Sequence, residues 1–116
     1  MRQAGILAAA GIIALENMTR RLHVDHLHAR RIGEALNSYD LFSIDLERIH
    51  INMVFVGFSG NSLLDKQIRF TGLLKEKGII TYPPKYGGIR LVTHNDVTEE
   101  DVDYIISILP KIVENM

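Results

Sequence analysis

Gly88-Ile89-Arg90-Leu91-Val92-Thr93-His94-Asn95-Asp96-Val97 is the stretch where one charged side chain most needs a reason for its position. Ile89 and Leu91 alternate with Arg90 and Val92, the period of two that marks a half-buried strand. A guanidinium is rarely buried without a partner. Two accounts of Arg90 follow. It is a solvated edge residue, or paired with a surface carboxylate. Alternatively it is an anion hook, its fork of donors held rigid by the strand beneath. The stretch alone leaves both open.

Other chemistry-bearing residues point to less. His23, Asp25, His26 and His28 invite a metal site, and His23 and His26 stand three apart on a helix. His28 points elsewhere and no fourth ligand has fitting spacing, so no metal site is expected. His26 reads better as a hydrogen-bonded core histidine. Asn52 is either a satisfied core amide or a site residue, the former being commoner. Lys66, Lys75, Lys77, Lys85 and Lys111 read as surface or helix-end residues, and none sits in an apolar run that would depress its pKa for Schiff-base chemistry. Glycine-rich phosphate loops are absent, and Ser43, Ser59, Ser62 and Ser107 lack a nucleophile elbow. The chain therefore carries an anchor and no catalytic residue.

The elements that must position Arg90 are readable from periodicity. Ala4 to Leu15 is uncharged, too short to span a bilayer, and lacks a clear cleavage site for a signal peptide. It reads as a helix apolar on every side, needing neighbours that the rest of the chain does not obviously supply. Asn17 or Thr19 can cap a second helix to about Leu36, with Leu22, His26, Ala29, Gly33 and Leu36 inward and Arg20, Arg21, His28 and Arg31 on a solvated face. Residues 41–46 suggest a short edge strand. Ile49 to Phe58 suggests a central one, apolar on both faces in its second half and so covered on two sides. Ser62 with Asp65 resembles a capping box for a helix whose core face is Leu63, Leu64, Ile68, Thr71 and Leu74, closed by Gly78. Ile79 to Tyr82 reads as a strand ended by Pro83-Pro84, with a turn at Lys85 to Gly88. Thr98 and Asp101 cap the last helix, where Val102, Ile105, Ile106, Leu109 and Val113 face inward and Pro110 predicts a kink or early end.

The fold class is α+β: a helical N-terminal segment, then a small, mainly antiparallel sheet with helices packed on one face. At 116 residues, one domain with a real core is expected. A formal net charge of −1 provides no field for nucleic acid or an anionic membrane, so neither is an expected partner. Without cysteine there are no disulfides or thiolate metal sites, and a reducing, cytoplasmic location fits.

Three stretches together resemble one family. Met1-Arg2-Gln3-Ala4-Gly5-Ile6-Leu7-Ala8-Ala9-Ala10-Gly11 is similar to the segment of low-specificity L-threonine aldolases that follows their triple-glycine turn. Leu22 through Asp25-His26 to Ala29 resembles the next helix. Arg90-Leu91-Val92-Thr93-His94-Asn95-Asp96-Val97 resembles the family's Arg-Leu-Val-Thr-His-x-Asp-Val signature, and Asn52-Met53-Val54 and Lys77-Gly78-Ile79-Ile80 fall in the expected order.

The resemblance implies a pyridoxal-phosphate enzyme of the aspartate-aminotransferase fold, a homo-oligomer that cleaves L-threonine or L-allo-threonine to glycine and acetaldehyde. It implies that residues 1–37 are connecting helices out of a large domain and 38–116 the small domain, making this chain a C-terminal third. Arg90 then matches the arginine that binds the substrate carboxylate, with Tyr82 to Gly88 as the loop beside it. Arg2 matches a second, cofactor-end arginine. The Schiff-base lysine, the ring-pairing aspartate, the stacking histidine and the phosphate loop belong upstream in the family, so this chain alone is expected to be inactive and to need a large-domain partner. Another β-eliminating lyase, or a self-standing α+β module binding a carboxylate or a protein, are the competing readings.

Overall fold

The alternation centred on residue 55 is realised as the middle strand of a three-stranded antiparallel sheet. The computed structural model describes residues 2–82 and 88–116. In order these form α1 (Ala4–Glu16), a 3₁₀ turn (Met18–Arg21), α2 (Leu22–Asn37), β1 (Phe42–Ser43), a second 3₁₀ turn (Leu46–Arg48), β2 (Met53–Phe58), α3 (Leu63–Glu76), β3 (Ile89–Val92) and α4 (Glu99–Glu114). The sheet order is β1-β2-β3. Phe42 lies opposite Phe58 and Ser43 opposite Gly57; Met53, Val54, Phe55 and Val56 lie opposite Val92, Leu91, Arg90 and Ile89.

This register sends Val54, Val56, Phe58 and Ile89 into one core with Ala29, Ile32 and Leu36 of α2, Phe70 and Leu74 of α3, and Val102, Ile108, Leu109 and Ile112 of α4. The α+β architecture with helices on one sheet face is as the sequence predicts. The two-sided cover expected for β2 is not: Phe55 is 51% exposed and Met53 38%. The apolar stripes of α2, α3 and α4 merge in a single core, so all three helices occupy one side and leave the other bare.

Several helix expectations need correction. No residue of α1 is buried, and Ile6, Leu7, Ile12, Ile13 and Leu15 are each more than half exposed. Neither Asn17 nor Thr19 caps α2; a 3₁₀ turn intervenes, Thr19 Oγ1 donates back to Leu15 O, and Arg21 occupies the cap position without a side-chain bond. The inward face of α2 runs through Asp25, His28, Ala29, Ile32, Gly33 and Leu36. His28 is thus buried rather than on the solvated basic face, while Leu22 is exposed. Arg31 reaches Asp103 and Glu99, tying α2 to α4.

The face of α3 is turned from the expected one. Gln67, Phe70 and Leu74 are buried, whereas Leu63, Leu64 and Ile68 are largely exposed. The helix carries two apolar stripes, and the one with the aromatic ring packs inward: Phe70 lies 5.1 Å from Phe42 and 5.6 Å from Phe58 between ring centroids, in edge-on geometries that favour aromatic pairs. Ser62 stands at the N-cap but in left-handed backbone (φ 56°), without a side-chain cap bond. An Oγ reaches the first-turn N–H groups from extended backbone, which Ser62 does not adopt.

At the other end the expected terminator holds. Gly78 has φ 81°, and Gly78 N–H donates to Lys75 O and Ile79 N–H to Leu74 O, a Schellman closure. That closure commits the Ile79 donor to the helix end, and Ile79 to Tyr82 does not join the sheet as the expected strand. The expected strand end at Pro83-Pro84 and the turn at Lys85 to Gly87 lie outside the described residues.

The reciprocal Thr98–Asp101 capping box is present. Pro110 does not end α4, which continues to Glu114. Proline removes one backbone bond to the preceding turn, and burial of Ile108, Leu109 and Ile112 on either side holds the helix through it.

Because Phe70 is 1% exposed and Leu64 60%, truncating them should differ sharply. Phe70→Ala is expected to cost about 3–5 kcal/mol and Leu64→Ala under about 0.5 kcal/mol in urea unfolding. The reverse order would mean that α3 presents its other stripe to the core.

Candidate functional site

Strand geometry sends the Arg90 side chain to the bare face of the sheet, opposite its helix-packed neighbours. Ile89 is 2% exposed and Leu91 half-buried, while Arg90 is exposed. Among the described residues β3 is an edge strand, with a ladder partner on one side only. Phe55 is the direct cross-strand neighbour of Arg90. On the same face stand Met53 and Val92, also opposite one another. The Arg90 Cζ lies 5.8 Å from the centroid of the Tyr82 ring. Among the described residues no carboxylate lies within ion-pair distance of Arg90. The salt-bridged account of this arginine is therefore not realised there.

Arg90 borders a cleft of about 680 Å³ between β3 and the Ile79–Tyr82 segment. Its walls are mostly apolar, with Leu74 and Leu109 among the core side chains beneath, and Thr93 and His94 beside the arginine. His94 Nδ1 accepts from Asp96 N–H at 3.2 Å, which puts the ring proton on Nε2 in the neutral form.

Both ends of β3 are pinned. Before it, Gly88 has φ 121°, and a Cβ there would meet Val56 O at 2.7 Å, so only glycine lets the chain enter the sheet at this point. After it, Thr93 is buried and fully engaged. Its N–H donates to Asn52 O (2.9 Å), its carbonyl accepts from Asn52 Nδ2 (2.7 Å), and its Oγ1 donates to Asp25 O (2.7 Å). Asn52 is therefore a structural amide. His26 Nδ1 lies 3.0 Å from Ile51 O and fastens α2 to the same segment, so this histidine has the bonded role expected of it, though it is only partly buried. Asp25 is held by Arg21, whose Nη1 donates to Oδ2 at 3.2 Å; Nη2 lies 3.1 Å from Oδ1 but off the line of a hydrogen bond.

The remaining sequence candidates fall elsewhere. Arg2 is exposed ahead of α1 and does not line the Arg90 cleft. His23 is exposed, His28 is buried with its Nδ1 unpartnered, and among the described residues no three histidines or carboxylates converge as a metal site would require. Lys66 Nζ donates to Ser59 O, and Lys75, Lys77 and Lys111 are exposed; Lys85 lies outside the described residues. Among the described residues no helix is long and apolar enough to cross a membrane. Sequence reasoning missed Phe55 as a neighbour of the guanidinium; by resemblance it put Tyr82 in the loop beside Arg90, without assigning its ring a role. The alternation of β2 against β3 could have found Phe55; no periodic signal marks the Tyr82 ring, which stands just before Pro83-Pro84 in the sequence.

The family model described as beta-eliminating lyase matches residues 1–59. Low-specificity L-threonine aldolase 1 of Arabidopsis thaliana is 32% identical over 107 residues, covering 92% of this chain and 30% of that protein. The low specificity L-threonine aldolase of Escherichia coli K12 is 38% identical over 104 residues, covering 88% and 28%. The low-specificity L-threonine aldolase of Candida albicans is 28% identical over 106 residues, covering 90% and 26%. The chain thus spans less than a third of the length of these curated relatives.

Thr93→Val keeps the shape of the side chain while removing its bond to the Asp25 carbonyl, which lies within α2 and keeps its place in the helical ladder. Loss of about 0.5–1.5 kcal/mol is expected by chemical unfolding. Arg90→Ala, on an exposed position, should change stability by less than about 0.5 kcal/mol.

Proposed function

Since the chain belongs to the beta-eliminating lyase family, we propose that it is the substrate-carboxylate-binding part of a threonine aldolase, a carbon-carbon lyase that cleaves L-threonine or L-allo-threonine to glycine and acetaldehyde. The observation that carries this reading is Arg90: an exposed guanidinium on a braced strand, with no carboxylate partner among the described residues. The named relatives, all low-specificity L-threonine aldolases, support the substrate class.

An amino-acid substrate presents a planar carboxylate, which the arginine fork meets with two parallel N–H donors. A two-point clamp fixes the rotation of that carboxylate and with it the direction of the Cα–Cβ bond to be broken. A lysine point charge would leave the rotation loose. The bare apolar face around Arg90, with Phe55 and Met53, would exclude water once covered and so strengthen the ion pair.

Pyridoxal phosphate, when bound in such a lyase, supplies the electron sink that makes the bond cleavable. The described residues fit the substrate's carboxylate and do not form a seat for the cofactor. Their lysines are exposed or bonded to backbone, and Arg2 lies apart from the Arg90 cleft. In this reading the cofactor is held by the equivalent of the part of the relatives that this sequence does not match, which would also cover α1. The uncovered apolar side chains of α1 support that arrangement.

The test is reconstitution. The chain is combined with a polypeptide carrying the remaining part of an aldolase, pyridoxal phosphate is added, and acetaldehyde release from L-threonine is measured. Release is expected from the mixture and from neither piece alone. In the mixture, Arg90→Ala should lower kcat/KM by about a hundredfold, mainly through KM, as loss of two charge-assisted bonds implies, and Arg90→Lys should fall between. An Arg90→Ala mixture with unchanged KM and kcat would remove the carboxylate role.

A further inference from the structure

Arg90 reaches solvent from an edge strand, and an exposed arginine ordinarily samples many rotamers. Its side chain carries substantial rotamer entropy, part of which is lost whenever the fork is fixed on a ligand. Elsewhere in this chain such freedom is removed by a carboxylate or a carbonyl: Arg21 on Asp25, Arg30 on Glu34 and Leu46 O, Arg69 on Asn115 O. Those partners occupy guanidinium donors. At Arg90 the neighbour is an aromatic ring, with Cζ 5.8 Å from the Tyr82 centroid, and a second ring, Phe55, stands directly across the ladder.

The distinction matters chemically. A ring attracts the guanidinium through its quadrupole and takes none of the five N–H donors. It can limit where the cation sits while leaving the fork available. Tyr82 itself is 69% exposed, so burial explains little of its position. It is the ring of Tyr82 that lies against the guanidinium, and none of the hydrogen bonds among the described residues uses its hydroxyl.

We propose that Tyr82 is a positioning residue for Arg90: its ring holds the guanidinium on the open face of the sheet, pre-ordered to receive a carboxylate. The consequence for substrate binding rests on the carboxylate-clamp reading of Arg90; the ordering of the side chain does not. Pre-ordering lowers the entropy lost on binding, so its signature is an effect on KM with little on kcat.

Two measurements separate the layers. In the 116-residue chain without ligand, the Arg90 side-chain Nε–Hε NMR signal reports ordering through its heteronuclear NOE and its ring-current shift. Wild type and Tyr82→Phe are expected to give an ordered, ring-shifted signal, and Tyr82→Leu a mobile, unshifted one. An unchanged signal in Tyr82→Leu would overturn the proposal. Loss of order in Tyr82→Phe as complete as in Tyr82→Leu would also overturn it, because the hydroxyl and not the ring would then be acting.

In the reconstituted lyase, Tyr82→Leu should raise the amino-acid KM by about two- to fivefold, the effect of one exposed cation–ring contact, with kcat little changed and Tyr82→Phe near wild type. If Arg90→Ala raises KM and Tyr82→Leu does not, positioning is refuted while the clamp stands. If Arg90→Ala leaves KM unmoved, the clamp reading fails, and the NMR signal still decides whether Tyr82 orders the arginine.

Discussion

The register of β3 against β2 is the constraint on which the rest of this structure depends. With Val54 opposite Leu91 and Val56 opposite Ile89, four apolar side chains enter the core and Arg90 points away from it. A slip of one residue would invert every side chain of the strand. The guanidinium would then enter a core with no charge to meet it, at a cost of several kcal/mol, and Ile89 and Leu91 would face solvent. Two devices prevent the slip. Gly88 passes so close to Val56 O that no side chain fits there. At the other end the Thr93 N–H donates to Asn52 O, its carbonyl accepts from the Asn52 side-chain amide, and its hydroxyl donates to Asp25 O. Because Asp25 belongs to α2, the same threonine couples the strand register to the seating of the helix.

Once the register is set, the helices must follow. The core face of the sheet offers Val54, Val56, Phe58 and Ile89, and α2, α3 and α4 supply apolar stripes that interlock there. Burial of apolar area drives this at about 25 cal/mol per Å². No described helix remains for the opposite face, and α1 contributes no buried residue. Phe55, Met53, the Leu64–Ile68 stripe and α1 are accordingly apolar surface in this chain. Large bare apolar areas of this kind mark interaction surfaces in soluble proteins.

How much of this could be read from the residues depended on whether the deciding interaction was local. The capping box at Thr98, the Schellman end at Gly78 and the alternation of β3 are set within a few residues, and all three were legible. The face of α3 was not, because Leu64-Ile68 and Phe70-Leu74 are both helical stripes, and the choice belongs to Phe42 and Phe58, which lie outside the helix on β1 and β2. Ser62 looks like a cap until its left-handed backbone is known. His28 looked solvated because basic neighbours flank it, yet the inward turn of α2 is set by the joint at Asp25 and Thr93. At the site, the position of Arg90 was visible in the alternation, and its ring contacts were not, since Phe55 lies across the ladder and no periodicity places the Tyr82 ring.

That no carboxylate among the described residues pairs with Arg90 is a matter of placement rather than supply. Fourteen acidic residues stand against thirteen lysines and arginines. The acids are used in other places: Asp25 with Arg21, Glu34 with Arg30, Asp103 and Glu99 with Arg31, Asp101 in the α4 cap, Asp45 on the Glu47 N–H. On the open sheet face the neighbours across the ladder are Met53 and Phe55, with Val92 two residues along β3 and Tyr82 at the edge. An acid at position 53 or 55 would be close enough to quench the guanidinium, and the alternation of β2 assigns both positions to apolar side chains. The same pattern that builds the core on one face thus leaves a cation on the other, braced from beneath and flanked by rings, with its hydrogen-bond donors uncommitted to the neighbouring acids.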